Sequence, residues 1–318
     1  MEPIKIGSLT CKPLHPTFVA EISGVDFSQV PLPQNVIDDL VAAQNRFAIT
    51  VYRDTGLDDA RHVKFSQQLN ECELCPKFGG PAQPDRFSDP HLFDAGNMNL
   101  DGTLIQKDTR RWWYNKGNAL WHTDSSFNQH RSKYSLLLAH LVPQEGGDTQ
   151  FADVRSAYDD LPQEKKDELE DLVIEHDLWW SRQIAAPEEF KNVTQHEKNA
   201  KQPAYHKLVQ VGPDGRKTMF IAAHAKRVMG WSQEKSTKLI NELLAHCTQP
   251  KYTVAVKWYH PGQLVWWDNR ISMHRATPFS DQMEKRDMRR TTVFDDGPDA
   301  YGVPDAPQME LGGSLPPA

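Results

Sequence analysis

No stretch of the 318 residues stays apolar and uninterrupted for the length of a membrane span, which takes about 20 residues, so a membrane partner is not expected. A secretory leader is not expected either. The opening MEPIKIGSLTCKPLHP is broken by charges and prolines where a leader carries an apolar run. Cysteine is scarce: Cys11, Cys72, Cys75 and Cys247 are too few for a disulfide scaffold of this size. The CxxC at Cys72 and Cys75 has no second pair to complete a zinc site, so free thiols in a reducing, cytoplasmic compartment are the expectation. Positive charge is not in excess. Lys and Arg number 36 against 43 Asp and Glu, a formal net charge of -7, which argues against a nucleic-acid partner but leaves a small anion open to a few local arginines. Glycine-rich phosphate loops are missing too. No strand leads into GxGxxG or a Walker-type loop, so dinucleotide folds and P-loop enzymes are unsupported.

What is present is ordinary for a globular enzyme: 38% apolar and 25% charged residues. The length suits a single catalytic domain over 1–318, with an N-terminal α/β lead-in over 1–70 and a variable active-site loop region over 70–118. Apolar spacing predicts helices over Pro33–Arg46, Asp58–Leu69 and Ser232–His246, and mainly helical structure over Asp153–Leu172. Strands are predicted at Phe47–Tyr52, Tyr134–Val142, Thr149–Val154, Tyr252–Trp258, Leu264–Asp268 and Arg290–Phe294. His206–Val211 and Lys217–Ala222 flank Gly212-Pro213-Asp214-Gly215 as a hairpin. Prolines and glycines punctuate the segment between Asn70 and Asn118, which predicts a long irregular loop ending in the cationic and aromatic RRWWYNKGN. Many short strands without a βαβα rhythm predict a mainly β fold, a sandwich or jelly roll decorated by helices.

Trp121-His122-Thr123-Asp124 places a histidine and a carboxylate two residues apart. On extended backbone these side chains share a face and can approach one ion. A distant second histidine would complete two imidazoles and a carboxylate, which occupy one face of an octahedron and leave three positions open. Spacing alone does not choose among His130, His140, His176, His206, His224, His246, His260 and His274. His274 follows an apolar strand and its turn, at an element end where sites commonly sit. A zinc hydrolase is the competing chemistry for such ligands, although there is no HExxH helix. A cupin-like module that binds without turnover is the non-enzyme alternative.

Trp121-His122-Thr123-Asp124, Gly146-Gly147-Asp148-Thr149, Gly215-Arg216-Lys217, Trp267-Asp268-Asn269-Arg270 with His274, and Arg286 through Thr292 occur in order. Together they resemble the taurine/2,4-dichlorophenoxyacetate dioxygenase family of iron(II)- and 2-oxoglutarate-dependent enzymes, with the closer likeness to the 2,4-dichlorophenoxyacetate branch. Lys12 through Pro16 and Ala20 through Asp26 fit the same family. The resemblance implies a double-stranded β-helix, a cupin-like jelly roll, with Fe(II) held by His122, Asp124 and His274. It implies that Thr149 and Arg286 hold the distal carboxylate of the cosubstrate 2-oxoglutarate. It gives Arg290 the anionic head of the prime substrate, and Asn118 a place in the substrate pocket. Molecular oxygen is the third reactant, and the substrate implied is a small organic acid, a carboxylate or sulfonate, including aryloxyalkanoate-like compounds. Hydroxylation is followed by C–O or C–S cleavage where the target carbon bears an ether oxygen or a sulfonate. Lys77, Lys107 and Lys116 are further cations in the variable segment. The pairs Trp112/Trp113 and Trp179/Trp180 line a ring-accepting pocket, pack a core, or form the interface of a homo-oligomer.

Overall fold

The helices begin and end on local chemistry. Gln34–Phe47 buries Ile37, Leu40, Ala43, Gln44 and Phe47 along one face, the spacing of an amphipathic helix. It stops at Ala48, which turns to φ 61° and returns its N–H to the Gln44 carbonyl at 2.8 Å. Asp58 caps the helix Asp59–Leu69 by accepting the Arg61 N–H at 2.9 Å. The structure, a computed structural model, describes residues 1–75, 86–278 and 284–306.

One sheet has eight strands in the order Ile4–Ile6, Leu9–Pro13, Ala20–Ser23, Ile49–Tyr52, Leu264–Asp268, Ser132–Leu141, Asp287–Phe294 and Phe93–Asp94. Its longest strand, Ser132–Leu141, lies between Leu264–Asp268 and Asp287–Phe294 and is buried along most of its length. A three-stranded sheet, Thr253–Val256, Thr149–Asp153 and Ser272–Ala276, packs against it. Leu137, Val265, Trp267 and Met288 from the first sheet meet Phe151 and Val256 from the second in one buried cluster. The other face of the large sheet is covered by the two N-terminal helices around Leu136, Leu138 and Trp266. A second three-stranded sheet of Ala225–Val228, Val173–His176 and Ala204–Lys207 packs with the helix Gln233–Cys247 around a third cluster.

Alternation along Asp287–Phe294 sets up the functional face. Thr291 reaches His62 at 3.1 Å and Ser66 at 2.6 Å on the helix side. Met288 instead enters the cluster between the sheets, and Arg290 shares its parity.

Most expected elements form close to the expected places, and Val209–Val211 pairs with Lys217–Met219 as the hairpin. Two expectations need correction, the fold class and the loop over 70–118. The fold is mixed α/β rather than mainly β, with helical and extended residues nearly balanced, and the ladders leave separate sheets with no closed barrel among the described residues. The segment Asp153–Leu172 is mainly helical, as expected, in two helices, Val154–Asp159 and Gln163–Leu169, with Pro162 directly before the first turn of the second. The loop over 70–118 carries a helix, Arg110–Asn115, and a 3-10 turn, Lys116–Ala119. Thr109 caps that helix by accepting the Trp112 N–H at 3.3 Å, a signal masked by a run of aromatic residues with no apolar period. No helix among the described residues is long and apolar enough to cross a membrane.

Candidate functional site

His122 and His274 meet through backbone pairing. Each donates its N–H to the other's carbonyl, at 2.9 and 2.8 Å, an isolated antiparallel bridge at the flank of Ser272–Ala276. This sets the two imidazoles side by side, with ring centroids 4.2 Å apart. Asp124, two residues on from His122, projects to the same place. One ligand atom from each of the three side chains lies within 4.8 Å of the others. Asp124 Oδ1 stands 3.9 Å from His122 Nε2, and Oδ2 stands 3.5 Å from His274 Nε2.

The surroundings prepare this group for a cation. All three side chains are buried. Burial keeps both imidazoles below their usual range, so they present lone pairs at neutral pH. Burial pushes Asp124 the other way, yet the Arg290 guanidinium beside it holds its carboxyl down at about 2. His122 Nδ1 donates to the Leu120 carbonyl at 2.7 Å, which leaves Nε2 as the free lone pair. His274 Nδ1 is buried with no hydrogen-bond partner among the described residues. Two neutral imidazoles, one carboxylate and an open side fit ferrous iron.

The remaining expected residues converge on one cavity of about 60 Å³, where Asn118, Thr149, Arg286 and Arg290 stand with His122 and His274. Gly146 and Gly147, both at positive φ (74° and 71°), turn the chain into the strand that begins at Thr149. The Trp258 indole donates to Thr149 Oγ1 at 3.1 Å, so the threonine hydroxyl keeps its own hydrogen for another acceptor. Arg286 is 7% exposed, and burial pulls its guanidinium down to about 10. Its Nη1 donates to the Ala95 carbonyl at 3.1 Å. Arg290 donates from Nη1 to Asp124 Oδ1 at 2.5 Å, while its Nε is buried without a partner among the described residues. Arg290 is therefore tied to the metal group as well as facing the cavity.

A wider cavity of about 280 Å³ shares Ala95, Asn118, Ala276 and Arg286 with the inner one and adds Ile105, Trp112 and Lys116. Lys116 lies 3.9 Å over the Trp112 ring. Lys107 is exposed and Lys77 lies outside the described residues. Trp113 and Trp179 pack with Phe190 in a satellite core. The four cysteines are free, and burial pushes the Cys72, Cys75 and Cys247 thiols up to about 12.

Sequence reasoning missed Trp258, Ser135 and Asn269. Ser135 donates to Asp124 Oδ2 at 2.8 Å, and Asn269 accepts the Asp124 N–H at 3.1 Å. A lone serine inside the apolar run Tyr134 to Leu138 was the available signal, since a buried hydroxyl needs a partner.

Comparison with known proteins agrees with this geometry. The profile "Taurine catabolism dioxygenase TauD, TfdA family" matches residues 10–292. The chain is 36% identical over 292 residues to the alpha-ketoglutarate-dependent 2,4-dichlorophenoxyacetate dioxygenase of Burkholderia sp. (strain RASC), covering 90% of this chain and 95% of that one. The enzyme of the same name from Cupriavidus pinatubonensis is 35% identical over 294 residues, covering 91% and 99%. Among solved structures, AAD-2 in complex with Mn(II) and N-oxalylglycine superposes with a TM-score of 0.82 at 35% identity, covering 91% of this chain and 98% of that one. With a two-histidine, one-carboxylate centre at the flank of its smaller sheet and this breadth of likeness, the chain belongs to the TauD/TfdA family of iron(II)- and 2-oxoglutarate-dependent dioxygenases.

Proposed function

We propose that this protein oxidises a small organic acid, with an aryloxyalkanoate-type carboxylate as the favoured class. The observation that carries the reading is one cavity holding the two histidines beside Asp124, together with two arginines. His122, Asp124 and His274 are the iron ligands. Arg286 and Thr149 grip the distal carboxylate of 2-oxoglutarate, where a planar donor fork and a pre-aimed hydroxyl suit a carboxylate removed from water. Arg290 anchors the acid group of the prime substrate through the donors it does not spend on Asp124. Asn118 and Trp112 contact the rest of the molecule. Family membership sets aside the zinc hydrolase and the non-catalytic module.

Iron and 2-oxoglutarate, when bound, supply the oxygen-dependent oxidation of an unactivated carbon, with the cosubstrate leaving as succinate and carbon dioxide. The chain's own part is placement. Arg290 fixes the acid group, so the carbon next to it is the one presented to the centre. Leu137, Phe93 and Trp267 line the inner cavity and exclude water. Where that carbon carries an aryl ether, its hydroxylated form loses the phenol by C–O cleavage. We assign the two facing sheets to the double-stranded β-helix of this family, and the whole chain to one catalytic unit.

The test is oxygen uptake and succinate formation with Fe(II) and 2-oxoglutarate across aryloxyacetates, arylpropionates and alkylsulfonates. Coupled phenol release from an aryloxyacetate is the expected result. Turnover confined to sulfonates would overturn the favoured class, and turnover independent of 2-oxoglutarate would overturn the reading as a whole.

A further inference from the structure

We propose that Asn269 is the positioning residue that orients Asp124 at the metal centre, through a one-way hydrogen-bond relay from Asn269 to Ser135 to the Asp124 carboxylate. The inference rests on the reading of Asp124 as an iron ligand.

The relay has a fixed direction. Asn269 Oδ1 accepts from the Asp124 backbone N–H and from the Trp267 indole, each at 3.1 Å. Both partners can only donate, so this amide atom must be the oxygen and the amide orientation is unique. The nitrogen Nδ2 then donates to Ser135 Oγ at 2.9 Å and to Ser132 Oγ at 3.3 Å. With its lone pair engaged, Ser135 sends its own hydrogen to Asp124 Oδ2 at 2.8 Å. Ser132 likewise donates to the Asp124 carbonyl at 3.1 Å. A single buried amide thus fixes Asp124 at its backbone N–H, at its carbonyl through Ser132, and at its carboxylate through Ser135.

Such redundancy has a purpose at this point of the chain. The residue after Asp124, Ser125, sits at φ 56°, a left-handed backbone that a side chain with a Cβ adopts only when its surroundings impose it. The Trp267 ring that donates to Asn269 also lies against the second histidine, with its centroid 4.6 Å from that of His274. The amide therefore links the carboxylate ligand to a ring beside an imidazole ligand. Asn269 is 1% exposed and lines neither of these two cavities, so its influence on the centre passes through these bonds. Groups that orient metal ligands in this way typically contribute 10–100-fold to metal affinity.

The experiment is anaerobic calorimetric titration of Fe(II) into the full chain and its variants, with the thermal midpoint of each metal-free protein measured alongside. Asp124→Ala is the reference and abolishes tight binding if Asp124 is a ligand. Asn269→Ala is expected to weaken Fe(II) binding by about 10–100-fold, and Ser135→Ala by several-fold. The double variant should bind no more weakly than Asn269→Ala, because groups in one relay are not additive. Asn269→Asp keeps the volume and both acceptor bonds, and its ionised form cannot donate to Ser135, so the titration repeated at rising pH should show affinity lost as the carboxyl ionises. That loss in a near-isostere is a response a space-filling residue does not give. If Asn269→Ala does not fold, Ser135→Ala carries the test by itself. Affinities within twofold of the parent in the Asn269 and Ser135 variants, or additive losses in the double variant, overturn the relay while leaving Asp124 as a ligand. Unchanged affinity in Asp124→Ala overturns the ligand assignment itself.

Discussion

Replacing Arg286 with alanine tests its proposed role as the anchor of the cosubstrate apart from everything else in the cavity. The guanidinium is 7% exposed and burial has already drawn it down to about 10, so at neutral pH it is a poorly hydrated cation. Two unit charges about 4 Å apart at an effective dielectric near 20 attract by about 4 kcal/mol. The desolvation of the incoming carboxylate offsets part of this, and truncating one partner of such a pair costs roughly 2–5 kcal/mol. We take about 3 kcal/mol, which corresponds to roughly a hundredfold loss in 2-oxoglutarate affinity. The fold should survive the change. Asn97 N–H donates to the Arg286 carbonyl at 3.1 Å, and the Arg286 N–H donates to Asn97 Oδ1 at 2.8 Å; both contacts are backbone-anchored and remain. The assay is anaerobic titration of 2-oxoglutarate into the Fe(II)-loaded protein, read by calorimetry. Arg286→Lys should recover part of the affinity, since an ammonium restores charge without the planar fork. A change below threefold in Arg286→Ala, with iron affinity intact, would refute the assignment and return Arg286 to a structural role.

Arg290→Ala is expected to keep iron and 2-oxoglutarate affinity near the parent while raising KM for an acidic substrate by about tenfold or more. An unchanged KM and unchanged coupling of succinate to product would remove its anchoring role. Trp258→Phe deletes the donor that engages Thr149 Oγ1, so 2-oxoglutarate affinity should fall by about fivefold, near 1 kcal/mol for one hydrogen bond; equal affinity in a calorimetric titration would mean the hydroxyl orients without it. Phe151 is fully buried between Trp267 and His274, and Phe151→Ala should cost about 3–5 kcal/mol in denaturant unfolding. Burial raises all four thiols, so a thiol reagent at pH 8 should label the native chain slowly and the unfolded chain at all four positions. Rapid native labelling of Cys72 or Cys75 would contradict that.

The candidate site was legible before the fold was, because its motifs occur in order along the chain and resemble those of the family. His122 and Asp124 sit two apart, which lets them share a face of extended backbone, but spacing alone did not single out His274, and Arg286 and Arg290 were set apart by the resemblance. Residues that act through others left a fainter mark. Ser135 is one hydroxyl in an apolar strand, and its partner Asn269 lies more than a hundred positions away, so only tertiary pairing reveals the link. The N-terminal strands Ile4–Ile6, Leu9–Pro13 and Ala20–Ser23 escaped for a related reason. They are short and lie at one end of the large sheet, and their pairing depends on the sheet already built beyond them. The balance of helix and strand was misjudged where capping, not periodicity, decides, as at Thr109.

The two cavities are built from different kinds of backbone, and this divides the molecule for anyone who would redesign it. Metal ligands and both arginines stand on or beside strands locked into sheets, whereas much of the outer wall comes from one continuous stretch, Ala95 to Ala119. Exchanging that stretch for its counterpart from a relative is a single contiguous graft. Recombination libraries limited to it would sample ring size and tail length of the acid while the oxidising machinery is inherited whole.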